Sequence, residues 1–244
     1  MSERGNIRIG TSGWNYRHWR ENFYPPEIKQ KDWLEFYAGR FDTVEINNSF
    51  YNLPSAGTFR NWADTVPDNF LFAVKASRYI THMKKLKDPG EPVANFMDNA
   101  GHLGNKLGPV LFQLPPRWNV NAGRLKQFLD ELPSGVPAAF EFRDSSWWDD
   151  RIYSILKDYG AAFCIYHLAG RESPRELTAD FVYIRLHGPK GAYQGRYRKQ
   201  GLGGWAGAAL AWAEAGKDVY IYFDNDQNGY APVNAAELKE MTEE

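Results

Sequence analysis

At 244 residues and a formal net charge of −1, the chain is long enough for one large core or two small ones, and it lacks the overall basic footprint of a nucleic-acid binder. A content of 43% hydrophobic and 24% charged residues excludes a disordered or fibrous chain. The single cysteine, Cys164, excludes an intrachain disulfide and a thiolate-held structural zinc, and its place inside an apolar run predicts an inert buried thiol.

The chain opens on the polar stretch "MSERGNIRIG" and contains no long apolar run, which predicts a cytoplasmic protein with no membrane partner. From there, short β-rich runs alternate with longer amphipathic ones. Strands are predicted at 7–14, 43–50, 71–77, 108–115, 138–143, 161–168, 181–188 and 218–225. Helices are predicted near 27–40, 55–66, 92–106, 121–132, 147–160, 203–216 and 232–243. "AGRESPRELTAD", between the sixth and seventh strands, is too short and broken for a full helix. The first strand leads into "GTSGWNYRHW", which does not fit the glycine-rich phosphate fingerprint of an open doubly wound sheet. With no repeat or linker in view, the prediction is an α/β chain forming a single domain over 1–244, a TIM-type (β/α)8 barrel with its sixth helix reduced or missing.

Several strands carry charge at alternate positions, although parallel strands covered on both faces usually read as continuous apolar runs. The apolar set includes Val44, Ile46, Phe140, Phe142, Val182, Ile184, Val219 and Ile221, and should face the helices. Glu45, Asn47, Lys75, Gln113, Glu141, Arg143, Arg185, His187 and Asp224 should then face the barrel interior towards the C-terminal strand ends, where barrel enzymes carry their chemistry. Buried charge demands partners, so Glu45, Glu141 and Asp224 are expected to form a network with Lys75, Arg143, Arg185 and His187. Mutual neutralisation inside the barrel would explain such a set. Seven titratable groups at one mouth are nonetheless more than packing needs.

Motifs spread along the chain resemble a known family. "IGTSGWNYRHW", "FDTVEINNSFYNLPS", "FAVKASRYITH", "GPVLFQLPPRW", "FEFRDSSWW", "DFVYIRLHG" and "YIYFDNDQNGYAPVNA" are similar, in order, to the prokaryotic family catalogued as domain of unknown function 72, the YecE-like proteins. The resemblance covers about residues 7–240 and implies a TIM-type barrel, with no assigned reaction. Its motifs include Ser12, Trp14, Glu45, Asn47, Lys75, His82, Gln113, Glu141, Arg143, Arg185, His187, Asp224 and Asn225. "CIYHLAG" departs from it: Tyr166 and His167 stand in a region where relatives commonly carry an aspartate.

The chemistry expected at the mouth is that of an enzyme acting on an anionic small molecule, a phosphorylated one being favoured, with hydrolase or isomerase chemistry preferred. Glu45, Glu141, His187 and Asp224 are the catalytic candidates. Trp14, Asn47, Lys75, Gln113, Arg143, Arg185 and Asn225 are the ligand-binding candidates, the two arginines because a guanidinium matches phosphate or carboxylate in two-point contact. The glycosidase reading is weak, since the fourth and seventh strands carry Gln113 and His187 where common barrel glycosidases place their carboxyls. No cofactor is specified. A divalent metal held by Glu45, Glu141, His187 and Asp224 is a lesser reading, because three basic side chains crowd the same space. "DNDQNG" matches the start of a calcium-binding loop, but Ala235 stands where a bidentate glutamate is required.

Two alternatives stay open. A nucleic-acid-binding or endonuclease-like barrel would use rim aromatics such as Trp118 and Trp148 with the basic loop "HGPKGAYQGRYRKQGLGG". A non-catalytic metabolite-binding barrel would use the same mouth without chemistry. The sequence does not specify an oligomeric state.

Overall fold

In the computed structural model, which describes residues 3–243, all eight predicted strands form and run parallel. They are β1 (Ile7–Thr11), β2 (Thr43–Ile46), β3 (Leu71–Lys75), β4 (Leu107–Gln113), β5 (Ala138–Glu141), β6 (Ala162–Leu168), β8 (Phe181–Leu186) and β9 (Asp218–Phe223), with a short antiparallel β7 (Arg171–Glu172) beside β6. The hydrogen-bonded order β1-β9-β8-β6-β5-β4-β3-β2 brings the two ends of the sheet together. There β1 and β2 meet through one bridge, Ser12 to Glu45, where the Gly13 amide donates to the Glu45 carbonyl at 2.8 Å. Gly10 makes this seam possible: a Cβ at that position would stand 2.2 Å from the Thr43 carbonyl oxygen. The result is a nearly closed (β/α)8-type barrel.

The flanking helices are α1 (Trp33–Ala38), α2 (Ala56–Thr65), α3 (Gly90–Ala100), α4 (Ala122–Asp130), α5 (Asp150–Asp158), α6 (Lys199–Glu214) and α7 (Tyr230–Glu243). Side chains fix several starts: Ser55 accepts from the Thr58 amide, Asn121 from the Arg124 amide and Asp149 from the Arg151 amide. The helix predicted over 92–106 stops at Ala100 and continues as a 3-10 turn, in which Gly104 leaves helical geometry at φ 60°. The predicted absence of a sixth helix holds. Ala169 and Gly170 reverse the chain with positive φ, β7 folds back on β6, and Thr178 ties the return by accepting the Phe163 amide and donating to the Ala161 carbonyl.

Alternation along the strands sorts the side chains into two layers. Val44, Val74, Phe112, Phe140, Ile184 and Ile221 pack outward in the main core beneath the helices. Ala73, Leu111, Ala139, Ala162, Cys164, Tyr183, Tyr220 and Tyr222 fill the interior. Small residues on β3, β5 and β6 leave room for the tyrosines projecting from β8 and β9. Cys164 is fully buried there, and burial pushes its thiol well above its ordinary range, as an inert sulfur requires. No helix among the described residues is long and apolar enough to cross a membrane.

Candidate active site

Above this apolar plug, the inward positions at the C-terminal strand ends become charged. Arg185 on β8 is fully buried and organises them. One terminal nitrogen donates to Glu45 Oε1 at 2.7 Å and Asp224 Oδ2 at 3.1 Å, and the other to Glu141 Oε2 at 2.8 Å. Three carboxylates from β2, the end of β5 and the end of β9 are thus gathered on one guanidinium. Ser12 donates to Glu45 Oε1 at 2.6 Å, and the Tyr183 hydroxyl donates to Glu45 Oε2 at 2.7 Å.

Arg143 joins the network by donating from Nε to Glu141 Oε1 and from a terminal nitrogen to His187 Nε2, the latter at 3.0 Å. A guanidinium has no acceptor, so Nε2 must accept. The His187 proton therefore lies on Nδ1, which donates to Asp224 Oδ2 at 3.0 Å. His187 is a neutral imidazole oriented by Asp224, with its basic nitrogen covered by Arg143. Burial alone would raise the Glu141 carboxyl, but the charges of Arg143 and Arg185 together hold it well below the usual carboxylate range. Burial likewise opposes ionisation of Asp224, yet its bond to His187 and the charge of Arg185 keep it low.

Lys75, at the end of β3, differs from these groups. It is 7% exposed, its ammonium makes no hydrogen bond or ion pair among the described residues, and its nearest recorded contact is the Phe50 ring, 4.3 Å from Nζ to the centroid. Burial, then the positive charge of Arg185, brings it down to about 8. His82, packed edge-on against the same Phe50 ring, is lowered to about 4 by burial and by the charge of Lys75.

Beside the network lies a pocket of about 480 Å³ lined by Gln113, Arg117, Arg143, Arg171 and Tyr193, and also by Asp144 and Glu172. Arg117 and Arg171 are exposed and make no ion pair among the described residues. Arg117 holds a left-handed backbone at φ 60°, as does Tyr193 at φ 64°.

The structure brings Glu45, Glu141, Arg143, Arg185, His187 and Asp224 into one network, with Lys75 alongside and Gln113 at the pocket. Trp14 stands apart: it is buried edge-on against Trp62 at 5.1 Å. Asn47 faces a separate recess of about 390 Å³ that Trp14 also lines, and its buried Oδ1 has no partner. Asn225 turns away from the mouth and clips the loop after β8 to α7, donating to the Gly195 carbonyl at 2.9 Å and to Asn234 Oδ1 at 3.0 Å. Sequence reasoning missed Ser12, Tyr193, Arg117 and Arg171 as site residues. Ser12, Tyr193 and Arg117 lie beyond strand ends and Arg171 lies in the two-residue β7, where no alternation marks which side chains turn inward.

Among the described residues, no three histidine, cysteine, aspartate or glutamate side chains form a metal-ligand set. Both oxygens of Glu45 and both of Glu141 are already engaged by donors. The segment "DNDQNGY" is a capped turn: Asp226 accepts from Trp19 Nε1 and pairs with His18, and Asn228 and Gly229 take positive φ before α7.

Fold and site together define a TIM-type barrel whose C-terminal mouth holds a buried arginine–carboxylate–histidine network beside an arginine-lined pocket. The family model for proteins of unknown function DUF72 matches residues 8–244, and the chain belongs to that family. It is 28% identical to UPF0759 protein YunF of Bacillus subtilis (strain 168), over 96% of this chain and 94% of that one. It is 31% identical to UPF0759 protein YecE of Escherichia coli (strain K12), over 45% of this chain and 41% of that one. A crystal structure of a DUF72 family protein from Thermotoga maritima superimposes with a TM-score of 0.89 at 28% identity, covering 98% of this chain and 100% of that one. A DUF72 family protein from Enterococcus faecalis shares the fold with a TM-score of 0.84 at 19% identity, covering 98% and 96%. No characterised activity accompanies any of these matches.

Proposed function

We propose that the protein is an enzyme that binds an anionic small molecule, by preference a phosphorylated one, at the C-terminal mouth and moves a proton through His187. The observation that carries this reading is unpaired positive charge at the pocket: Arg117 and Arg171 have no ion-pair partner among the described residues, while the two acids of the lining are engaged elsewhere, Glu172 with Arg175 and Asp144 with the Ser146 amide. Cations that neutralised only the interior carboxylates would lie beneath with Arg185. These face the opening, where a bound phosphate or carboxylate would complete them.

Arg143 couples binding to chemistry in this proposal. It lines the pocket and also covers His187 Nε2. An anion that draws the guanidinium towards itself uncovers Nε2 as a general base, while Asp224 holds the ring and stabilises the imidazolium once it forms. Arg185, Glu45 and Tyr183 are positioning residues that keep Glu141 and Asp224 fixed around it. A hydrolase or an isomerase fits these parts.

The test is calorimetric titration with inorganic phosphate. Arg117→Ala and Arg171→Ala each remove an exposed, unpaired cation, so they should leave the melting temperature unchanged while weakening phosphate roughly tenfold, the loss of one charge-assisted hydrogen bond. Unchanged phosphate affinity in both variants would rule the pocket out as the anion site.

A second reading places nucleic acid at the loop after β8, where Lys190, Arg198 and Lys199 line a groove of about 730 Å³. That surface is weaker than the mouth. Its fourth base, Arg196, is already paired with Glu237, and of the two aromatics that line it Tyr197 is buried.

A further inference from the structure

We infer that Lys75 is a covalent nucleophile that forms an imine with the carbonyl carbon of its substrate, which makes the substrate class a small aldehyde or ketone carrying an anionic group. The inference rests on the anionic-ligand reading and adds the reacting group to it.

The placement of the amine carries the argument. A surface lysine is solvated and protonated, and so a poor nucleophile. Lys75 instead stands at an inward position on a short strand whose end is fixed, since Ser49 donates to the Lys75 carbonyl at 2.6 Å. Its side chain is almost wholly out of water, lies on the Phe50 ring, and has no carboxylate within ion-pairing distance among the described residues. The three carboxylates that could have held it as an ammonium are held by Arg185 instead. A lysine needed only for charge balance would sit in an ion pair. This one is withheld from every pair the site offers.

The groups facing it are Arg185 on β8, Glu45 on β2, Glu141 on β5, Asp224 after β9 and His82 in the loop after β3. Burial and Arg185 outweigh the three acids and bring the amine to about 8, so a useful share of free base exists near neutral pH. His82 adds no positive charge. Thr81 Oγ1 gives its only proton to the Ser77 carbonyl and must therefore accept from His82 Nδ1 at 2.9 Å, which leaves His82 Nε2 with a free lone pair.

The step balances without a co-reactant. The Nζ lone pair forms a bond to the carbonyl carbon, and the π pair of the C=O bond moves to oxygen. The nitrogen loses one of its own protons and solvent supplies another, both ending on that oxygen. The C–O bond then breaks, water leaves, and a protonated imine remains. The positive imine can accept electron density from a C–H or C–C bond broken beside it, and His187 is the proton acceptor the site provides for this.

The experiment incubates the protein with glycolaldehyde phosphate, the smallest phosphorylated aldehyde, adds borohydride, and maps the reduced adduct by peptide mass. One adduct per chain is expected, on Lys75, with a rate that rises with pH around a midpoint near 8 and falls when inorganic phosphate competes. The Lys75→Met variant, checked for an intact fold by its melting curve, should carry no more label than the scattered background. Label spread over surface lysines with none favouring Lys75 would overturn the inference. If phosphate still binds at the arginine pocket in that case, the anion-site reading survives; if phosphate does not bind, both fall together.

Discussion

Arg185→Met should cost about 3–5 kcal/mol of stability, lowering the melting temperature by on the order of 10 °C for a chain of this size. Arg185 is fully buried, and its removal leaves Glu45, Glu141 and Asp224 facing one another with the largest positive partner gone. Methionine restores much of the volume but none of the charge. The carboxylates can respond only by taking up protons, so the deficit should shrink as pH falls from 8 to 5, the reverse of ordinary acid destabilisation. Adding Glu141→Gln removes one of the stranded charges and should recover part of the loss. Urea unfolding at several pH values measures all three effects. A variant that melts like the wild type would mean that Arg185 is not the organising charge of the mouth.

Lys75→Met should act in the opposite direction, stabilising the protein by on the order of 2 kcal/mol at neutral pH while abolishing the imine adduct at the mouth. The lysine is brought to about 8 in the folded chain from an ordinary value of 10.5, so folding at pH 7 carries the cost of a desolvated ammonium. A lowered lysine means that between pH 8 and 10.5 the unfolded chain binds more protons than the folded one. Wild-type stability attributable to Lys75 should therefore rise with pH across that window, and the Met variant should lose the rise. Denaturant titrations of both proteins at pH 7, 8.5 and 10 read the difference. A residue that weakens the fold and is kept there is the signature of a ligand site, whereas a destabilised Lys75→Met variant would assign Lys75 to structure.

Much of this site could be read from alternation alone. Once Val44 and Ile46 face the helices, Glu45 can only face the axis, and the same step places Glu141, Arg185, His187 and Asp224. The missing sixth helix was legible because "AGRESPRELTAD" breaks any helical period, and the chain there makes a two-residue strand instead. The division of labour was less legible. Composition gives Arg143 and Arg185 equal weight, but only the structure separates Arg185, enclosed by three acids, from Arg143, which spans the histidine and the pocket. Loop residues escaped for a physical reason: Arg117 and Tyr193 reach the mouth through left-handed backbone geometry that no side-chain pattern encodes. Asn225 shows the converse, since its position beside Asp224 suggested the mouth, whereas the strand has ended there and its amide turns to the loop.

The most direct measurement is the set of arginine Nε–Hε resonances followed by NMR as inorganic phosphate is added. Anion binding at the barrel mouth predicts that the signals of Arg117, Arg143 and Arg171 move together along one saturation curve, while Arg185, enclosed beneath them, stays in place. Movement confined to Arg196 and Arg198 on the loop after β8, or no movement at saturating phosphate, would contradict it.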